Sequence, residues 1–265
     1  MNKFEPMART ADRPEQPPTL PPGVNDAVVA DMIEQLLLKE NFCELAERAL
    51  ALIHDKESPR LQRIHALIEF GRKNYDQCVE LAGEFLKKNP RDVELLVVRA
   101  NALFFAGHYE EGESAFLKAI RRGASDREVL ERLGLIYVKQ QKWVDAKTVF
   151  AELCRDPEFR PSAFAWHNLG VAFLKKLELD EAEKAFSFAN ALDNTNADTW
   201  GCLGVINYIL GTRRNQAFQV TKQSLKLGLK NPDVLAELGD LIGKEQGREA
   251  EASACFDKAL AIRED

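Results

Sequence analysis

From about Val24 to the C-terminus, apolar residues recur at spacings of three and four, the period of a helix with one buried face, and Gly, Asn or Asp interrupts the pattern at short intervals. This predicts an all-α chain of amphipathic helices joined by short turns. Residues 1–23 differ. They hold Pro6, Pro14, Pro17, Pro18, Pro21 and Pro22, six of the eleven prolines in the chain. Proline lacks the amide donor and the dihedral freedom that a helix or central strand requires, so this segment is expected to be a flexible tail or an extended arm.

Self-similarity organises the rest. The pairs Leu133-Gly134, Leu169-Gly170, Leu203-Gly204 and Leu238-Gly239 recur at steps of 36, 34 and 35 residues. Trp166 and Trp200 stand three residues before their leucines, and Tyr137 and Phe173 three residues after their glycines, which marks the first helix of each unit. In the second helices Tyr75, Tyr109 and Trp143 are 34 apart. Ala146 and Ala182 take a small-residue position, Phe116, Phe150, Phe186 and Phe256 a large one, and Ala119, Ala189 and Ala259 follow three later. A period near 34 with this pattern is that of tetratricopeptide repeats. Small residues permit close helix approach, large ones fill the space between hairpins, and each hairpin needs its neighbours to bury its apolar face.

The expected fold is therefore an all-α, tetratricopeptide-type right-handed superhelical solenoid of about seven hairpins spanning 24–265. Their expected limits are 25–57, 58–91, 92–125, 126–160, 161–195, 196–230 and 231–264. The first is degenerate, with only Phe42, Leu45, Ala49 and Leu52 matching the second-helix pattern. Single-residue insertions follow Gly211 and Gly247, and two extra residues around Phe159-Arg160-Pro161 make that joint a candidate bend.

Composition narrows the function. Hydrophobic residues at 45% and charged residues at 29% suit a folded, helix-rich chain. The net charge of −6 arises from 42 acids interspersed with 36 bases, so neither nucleic acid nor an anionic membrane is expected as a partner. Cys43, Cys78, Cys154, Cys202 and Cys255 show no metal spacing and read as small hydrophobes in a reducing compartment. Met1 to Leu20 lacks an apolar core and carries Glu5, Asp12 and Glu15, unlike a signal or transit peptide, and no apolar run approaches a membrane span. His54, His65, His108 and His167 are scattered, with no nucleophile motif near them, and the glycines stand singly or in no phosphate-binding pattern. The chain is expected to be no enzyme, to need no cofactor, metal or small-molecule substrate, and to bind proteins.

In this architecture a binding groove is lined by the first helices. The repeat register places there Val97, Val98, Asn101, Phe104 and Phe105, then Glu131, Arg132, Leu135 and Lys139. It continues with Phe164, His167, Asn168, Val171 and Lys175, then Cys202, Val205 and Tyr208. An apolar stripe rimmed by Arg132, Lys139 and Lys175 suits an amphipathic helix or an extended peptide. The alternative is that Phe104, Phe105 and Tyr208 pack against neighbouring second helices. The proline-rich tail, at roughly 3.1 Å per residue when extended, is long enough to lie along the groove, although its composition favours disorder.

Particular segments resemble the C-terminal repeat region of the cilia- and flagella-associated protein 70 family. These are Leu133-Gly-Leu-Ile-Tyr137 with Trp143-Val-Asp-Ala-Lys147, Leu179-Asp-Glu-Ala-Glu183 with Ala189-Asn-Ala-Leu-Asp-Asn194, and Asn196-Ala-Asp-Thr-Trp200. Leu225-Lys-Leu-Gly-Leu-Lys230 and Asp233-Val-Leu-Ala-Glu237 extend the likeness. The resemblance spans roughly 40–240 and implies a structural or regulatory scaffold of the motile cilium or flagellum, located in the cytoskeleton and attached to axonemal proteins. That family carries a long region before its repeats, which the proline-rich tail does not match. The array also resembles tetratricopeptide co-chaperones, which grip a terminal carboxylate with Lys, Asn and Arg on successive first helices. Here Asn168 matches, whereas the equivalent positions hold Val98, Arg132, Cys202 and Glu237. A soluble co-chaperone or assembly adaptor is the alternative reading.

Overall fold

The computed structural model describes residues 25–40, 43–50, 53, 58–156, 161–211 and 214–264. The proline-rich segment, Phe42, Leu52, His54 and the Phe159-Arg160 joint lie outside the described residues. Among those described there are fourteen α-helices and no strand, and the chain divides into two compact units, residues 1–106 and 107–265. This is the all-α, tetratricopeptide-type architecture that the repeat pattern predicts.

The first unit contains α1 (Asp26–Glu40), α2 (Cys43–Leu50), α3 (Pro59–Gly71), α4 (Tyr75–Lys88) and α5 (Val93–Ala106). Helix α3 starts on Pro59, whose missing amide would be unpaired in any case, and Asp92 caps α5 by accepting from the Leu95 amide at 2.9 Å. Ile33, Ile64, Ile68, Leu95, Leu96 and Leu103 are fully buried in its core. At its edge sits a nearly buried guanidinium, Arg63, with Glu34 and Asp92 each at 2.9 Å and Glu94 also in contact. Desolvation alone would lower the Arg63 pKa, but the three carboxylates outweigh it and hold the charge on. Phe104 and Phe105 join Phe70 and Tyr75 in a ring cluster, with Tyr75 and Phe105 stacked at 5.1 Å.

The second unit contains α6 (Tyr109–Ile120), α7 (Arg127–Lys139), α8 (Trp143–Arg155), α9 (Ala163–Lys175), α10 (Leu179–Leu192), α11 (Ala197–Leu210), α12 (Arg214–Lys226), α13 (Pro232–Ile242) and α14 (Glu249–Glu264). The spacing of the Leu-Gly and Phe positions has a direct cause. A Cβ at Gly134 would stand 2.6 Å from the Phe150 ring, one at Gly170 2.8 Å from Phe186, and one at Gly239 2.9 Å from Phe256. Each ring packs directly against the bare backbone of its partner helix, and any side chain there would displace it.

The α11–α12 pair departs from this rule. Gly204 faces Thr221, whose Oγ1 would lie 2.6 Å from an added Cβ, and Ser224 takes the place of the following alanine. Side chains cap three first helices: Ser162 accepts from Ala165, Asn196 from Thr199, and Asn231 from Asp233 and Val234. The turns inside successive hairpins need left-handed backbone, supplied by Gly211 at φ 66° but by Gln141 at φ 57° and Leu177 at φ 58° elsewhere.

Candidate partner-binding surface

In the second unit, helices α7 and α9 carry the expected groove residues that stay accessible. Arg132 is half-buried and donates to Glu128 one turn away at 3.0 Å, Leu135 is half-buried, and Lys139 is exposed. Phe164 keeps 40% of its surface exposed while its ring packs edge-on against Phe150 at 6.2 Å. Val171 is half-buried against the core, and Lys175 extends to Glu237 at 3.8 Å.

His167 and Asn168 are committed within the fold. The His167 Nδ1 pairs with the Thr199 hydroxyl at 2.9 Å and its ring stands edge-on to Phe186 at 5.5 Å. Burial pushes its pKa down to about 4, so the imidazole is neutral at physiological pH. Asn168 is buried, and its amide donates to the Phe164 carbonyl at 2.9 Å, turned back onto its own helix. The one residue that matches a carboxylate clamp is therefore not presented to a ligand.

Val205, Tyr208 and Cys202 correct the expected groove. They are 1%, 8% and 3% exposed and belong to the core of the second unit. Helix α11 packs against α9, α10, α12 and α13, and every residue from Gly201 to Tyr208 is buried. Its sequence there has no polar face from which an orientation could be read. The Tyr208 hydroxyl accepts from Arg248 at 2.9 Å, and the same guanidinium binds Glu245 at 3.0 Å, contacts Glu251, and lies 4.6 Å over the Phe218 ring. In the first unit, Phe104 is half-buried and Phe105 43% exposed, both within the ring cluster, so the packing alternative describes them.

Two surfaces lie outside the first-helix reading. Trp166 and Phe188 stack at 4.8 Å with Phe188 55% exposed, beside an open depression of 630 Å³ along α10. A second cleft, of 670 Å³, lies between α12 and the α13–α14 turn. Sequence reasoning restricted to first helices passes over both. Cys78, Cys202 and Cys255 are buried and Cys154 half-buried, and burial pushes the thiols of Cys78, Cys154 and Cys202 up to about 12, which leaves them unreactive. Among the described residues no cluster of His, Cys, Asp and Glu could hold a metal ion, and no helix is long and apolar enough to cross a membrane.

Comparison with known proteins gives three consistent results. The family described as the cilia and flagella-associated protein 70 C-terminal domain matches residues 44–265. Cilia- and flagella-associated protein 70 of Homo sapiens is 30% identical over 173 residues, and that of Macaca fascicularis 40% identical over 110 residues. These alignments cover 64% and 42% of this chain but 15% and 10% of the relatives' lengths. A weaker match, 25% identical over 169 residues, covering 60% of this chain and 28% of the other, is to Protein STIP1 homolog of Dictyostelium discoideum. Among solved structures, MamA from Desulfovibrio magneticus RS-1 superposes with a TM-score of 0.59 at 19% identity, covering 64% of this chain and 95% of that one. YrrB, described as a TPR protein with an unusual peptide-binding site, gives 0.51 at 19% identity, covering 71% and 94%. The structures establish the repeat fold, and the match over 44–265 establishes that this chain belongs to the cilia- and flagella-associated protein 70 family through its C-terminal domain.

Proposed function

We propose that this chain is a non-catalytic scaffold of the motile cilium or flagellum that holds axonemal proteins through the first helices of its repeats. The family and the tetratricopeptide-type fold support a protein-interaction scaffold; the ciliary placement rests on the family relationship. The observation that carries the site is Phe164. It is a large apolar side chain, 40% exposed, with Lys139 and Lys175 exposed on the same pair of helices. With Arg132, Leu135 and Val171 it forms a ridge suited to the apolar face of an amphipathic helix with acidic flanks. Phe105 supplies a separate exposed ring in the first unit.

The alternative is a soluble co-chaperone adaptor, to which the match with the STIP1 homolog points. The inward-turned Asn168 and the carboxylate of Glu237 argue against capture of a terminal carboxylate. Cosedimentation of the purified chain with demembranated, salt-washed axonemes tests the proposal. Saturable binding that Phe164→Asp abolishes while far-ultraviolet circular dichroism stays unchanged supports it. Binding that survives the substitution removes the ridge, and no binding at all removes the axonemal placement.

A further inference from the structure

Between Asp198 and Asp233 the chain holds no acidic residue, the longest such run in a protein of net charge −6, yet it carries Arg213, Arg214, Lys222, Lys226 and Lys230. The even interspersion of charge inferred from composition fails here. Helix α12 lies wholly inside the run. It buries Ala217, Thr221 and Ser224 against α11 and leaves Asn215, Gln219, Lys222 and Lys226 exposed. Arg214, Phe218, Lys222 and Lys226 follow one another at four-residue steps, the spacing that keeps side chains along one side of a helix.

These cations are available. Among the described residues Lys222, Lys226 and Lys230 have no carboxylate partner, and Arg214, whose side chain is 76% exposed, meets Glu245 only at 3.9 Å. The row runs into the 670 Å³ cleft, which Arg214, Phe218, Lys244 and Arg248 line together with Glu245 and Glu251. Both of those carboxylates are held by Arg248, whose guanidinium also covers one face of Phe218. With Arg214, Lys244 and Arg248 set against Glu245 and Glu251, the cleft keeps one positive charge in excess, and it offers a newcomer that charge and the rest of the Phe218 ring.

We propose that this row and cleft dock an acidic protein segment, with carboxylates along Arg214, Lys222 and Lys226 and one apolar side chain entering beside Phe218. The 13 residues of α12 extend roughly 20 Å at 1.5 Å per residue, a span that about six residues of extended peptide cover. A peptide fits better than a duplex or a bilayer. Those present broad, uniform anionic surfaces, which the acidic remainder of the chain repels, whereas a short segment meets the cationic row alone. The surface belongs to a second helix and is separate from the Phe164 ridge, so this inference does not depend on the ciliary reading.

The test is fluorescence anisotropy of the full chain with a short labelled peptide of glutamates around a central Leu-Phe pair, at low ionic strength. Saturable binding is expected that weakens with added salt, and on the order of tenfold with Lys222→Glu/Lys226→Glu. A control reversal of the exposed pair Lys87 and Lys88 should leave it intact, as should Phe164→Asp. Circular dichroism of the α12 variant guards against unfolding, since both lysines are exposed. The proposal is overturned if the peptide does not bind, if both reversals weaken it equally, or if phosphatidylserine vesicles or a DNA duplex bind more tightly than the peptide.

Discussion

The α9–α10 and α11–α12 hairpins are built on the same template and filled with different chemistry. In the first, Gly170 lies under the fully buried ring of Phe186, and Phe164 is left partly exposed on the surface. In the second, Gly204 lies under Thr221, Ser224 donates to the Ala197 carbonyl at 2.7 Å, and the buried oxygens Asn207 Oδ1 and Thr221 Oγ1 have no partner. The first helix of the second pair is buried nearly all round, and its second helix is polar and cationic outside. One hairpin combines a close-packed apolar joint with a first helix that leaves Phe164 and Lys175 exposed near its two ends. The other seals the middle of its first helix and carries a cationic row on its second. A repeat fold can thus change which side chains its hairpins expose without changing the backbone plan.

The sharpest way to break this comparison is to substitute the two large-position side chains. Phe186→Ala should cost about 4 kcal/mol in chemical denaturation because it empties a close-packed joint. Thr221→Val should be near neutral, within roughly 1 kcal/mol, since the buried hydroxyl has no partner to lose. Equal costs would mean that the two joints are equivalent. Next in size is Gly204→Ala, expected to cost about 2 kcal/mol by crowding Thr221. Adding Thr221→Ala should recover much of that loss, a coupling that a double-mutant cycle measures directly.

His167 and Thr199 join the two hairpins, and their pair makes the joint sensitive to pH. The folded pKa of about 4 lies below the ordinary value of 6.5. The unfolded chain therefore binds a proton first as pH falls. The stability from the neutral imidazole is fully present above 6.5 and declines as pH falls from there towards 4. Denaturation midpoints across that window should fall for the native chain and less steeply for His167→Gln. A parallel decline in both would remove His167 as the cause.

The smallest expected effect concerns the turns. Leu177→Gly should stabilise by about 1 kcal/mol and Gly211→Ala destabilise by a similar amount, because both positions sit at positive φ. Thermal melts read both, and the lack of a gain from Leu177→Gly would show that Leu177 makes a compensating contact.

The helices and their repeat were legible because Leu-Gly and Phe report a physical pair: Gly134 and Phe150, or Gly170 and Phe186, must appear together for the ring to lie on the backbone. The exposed places of Lys139, Phe164 and Lys175 on first helices followed from register. The sealed places of Cys202, Val205 and Tyr208 did not, because they sit in a helix with no polar side to orient it. Long-range partners were hidden for another reason. The bond of Tyr208 to Arg248 joins residues 40 apart, and that of His167 to Thr199 residues 32 apart, and neither leaves a periodic trace. The basic row on α12 was in plain sight, but charge summed over the whole chain cancels it.

The ciliary scaffold reading meets its most direct test in a ciliated cell expressing a tagged copy, separated into membrane-plus-matrix extract and salt-washed axoneme. Retention in the axoneme, lost with Phe164→Asp, is the predicted result. Absence from cilia with recovery in the soluble cytoplasm would contradict it and leave the adaptor reading in its place.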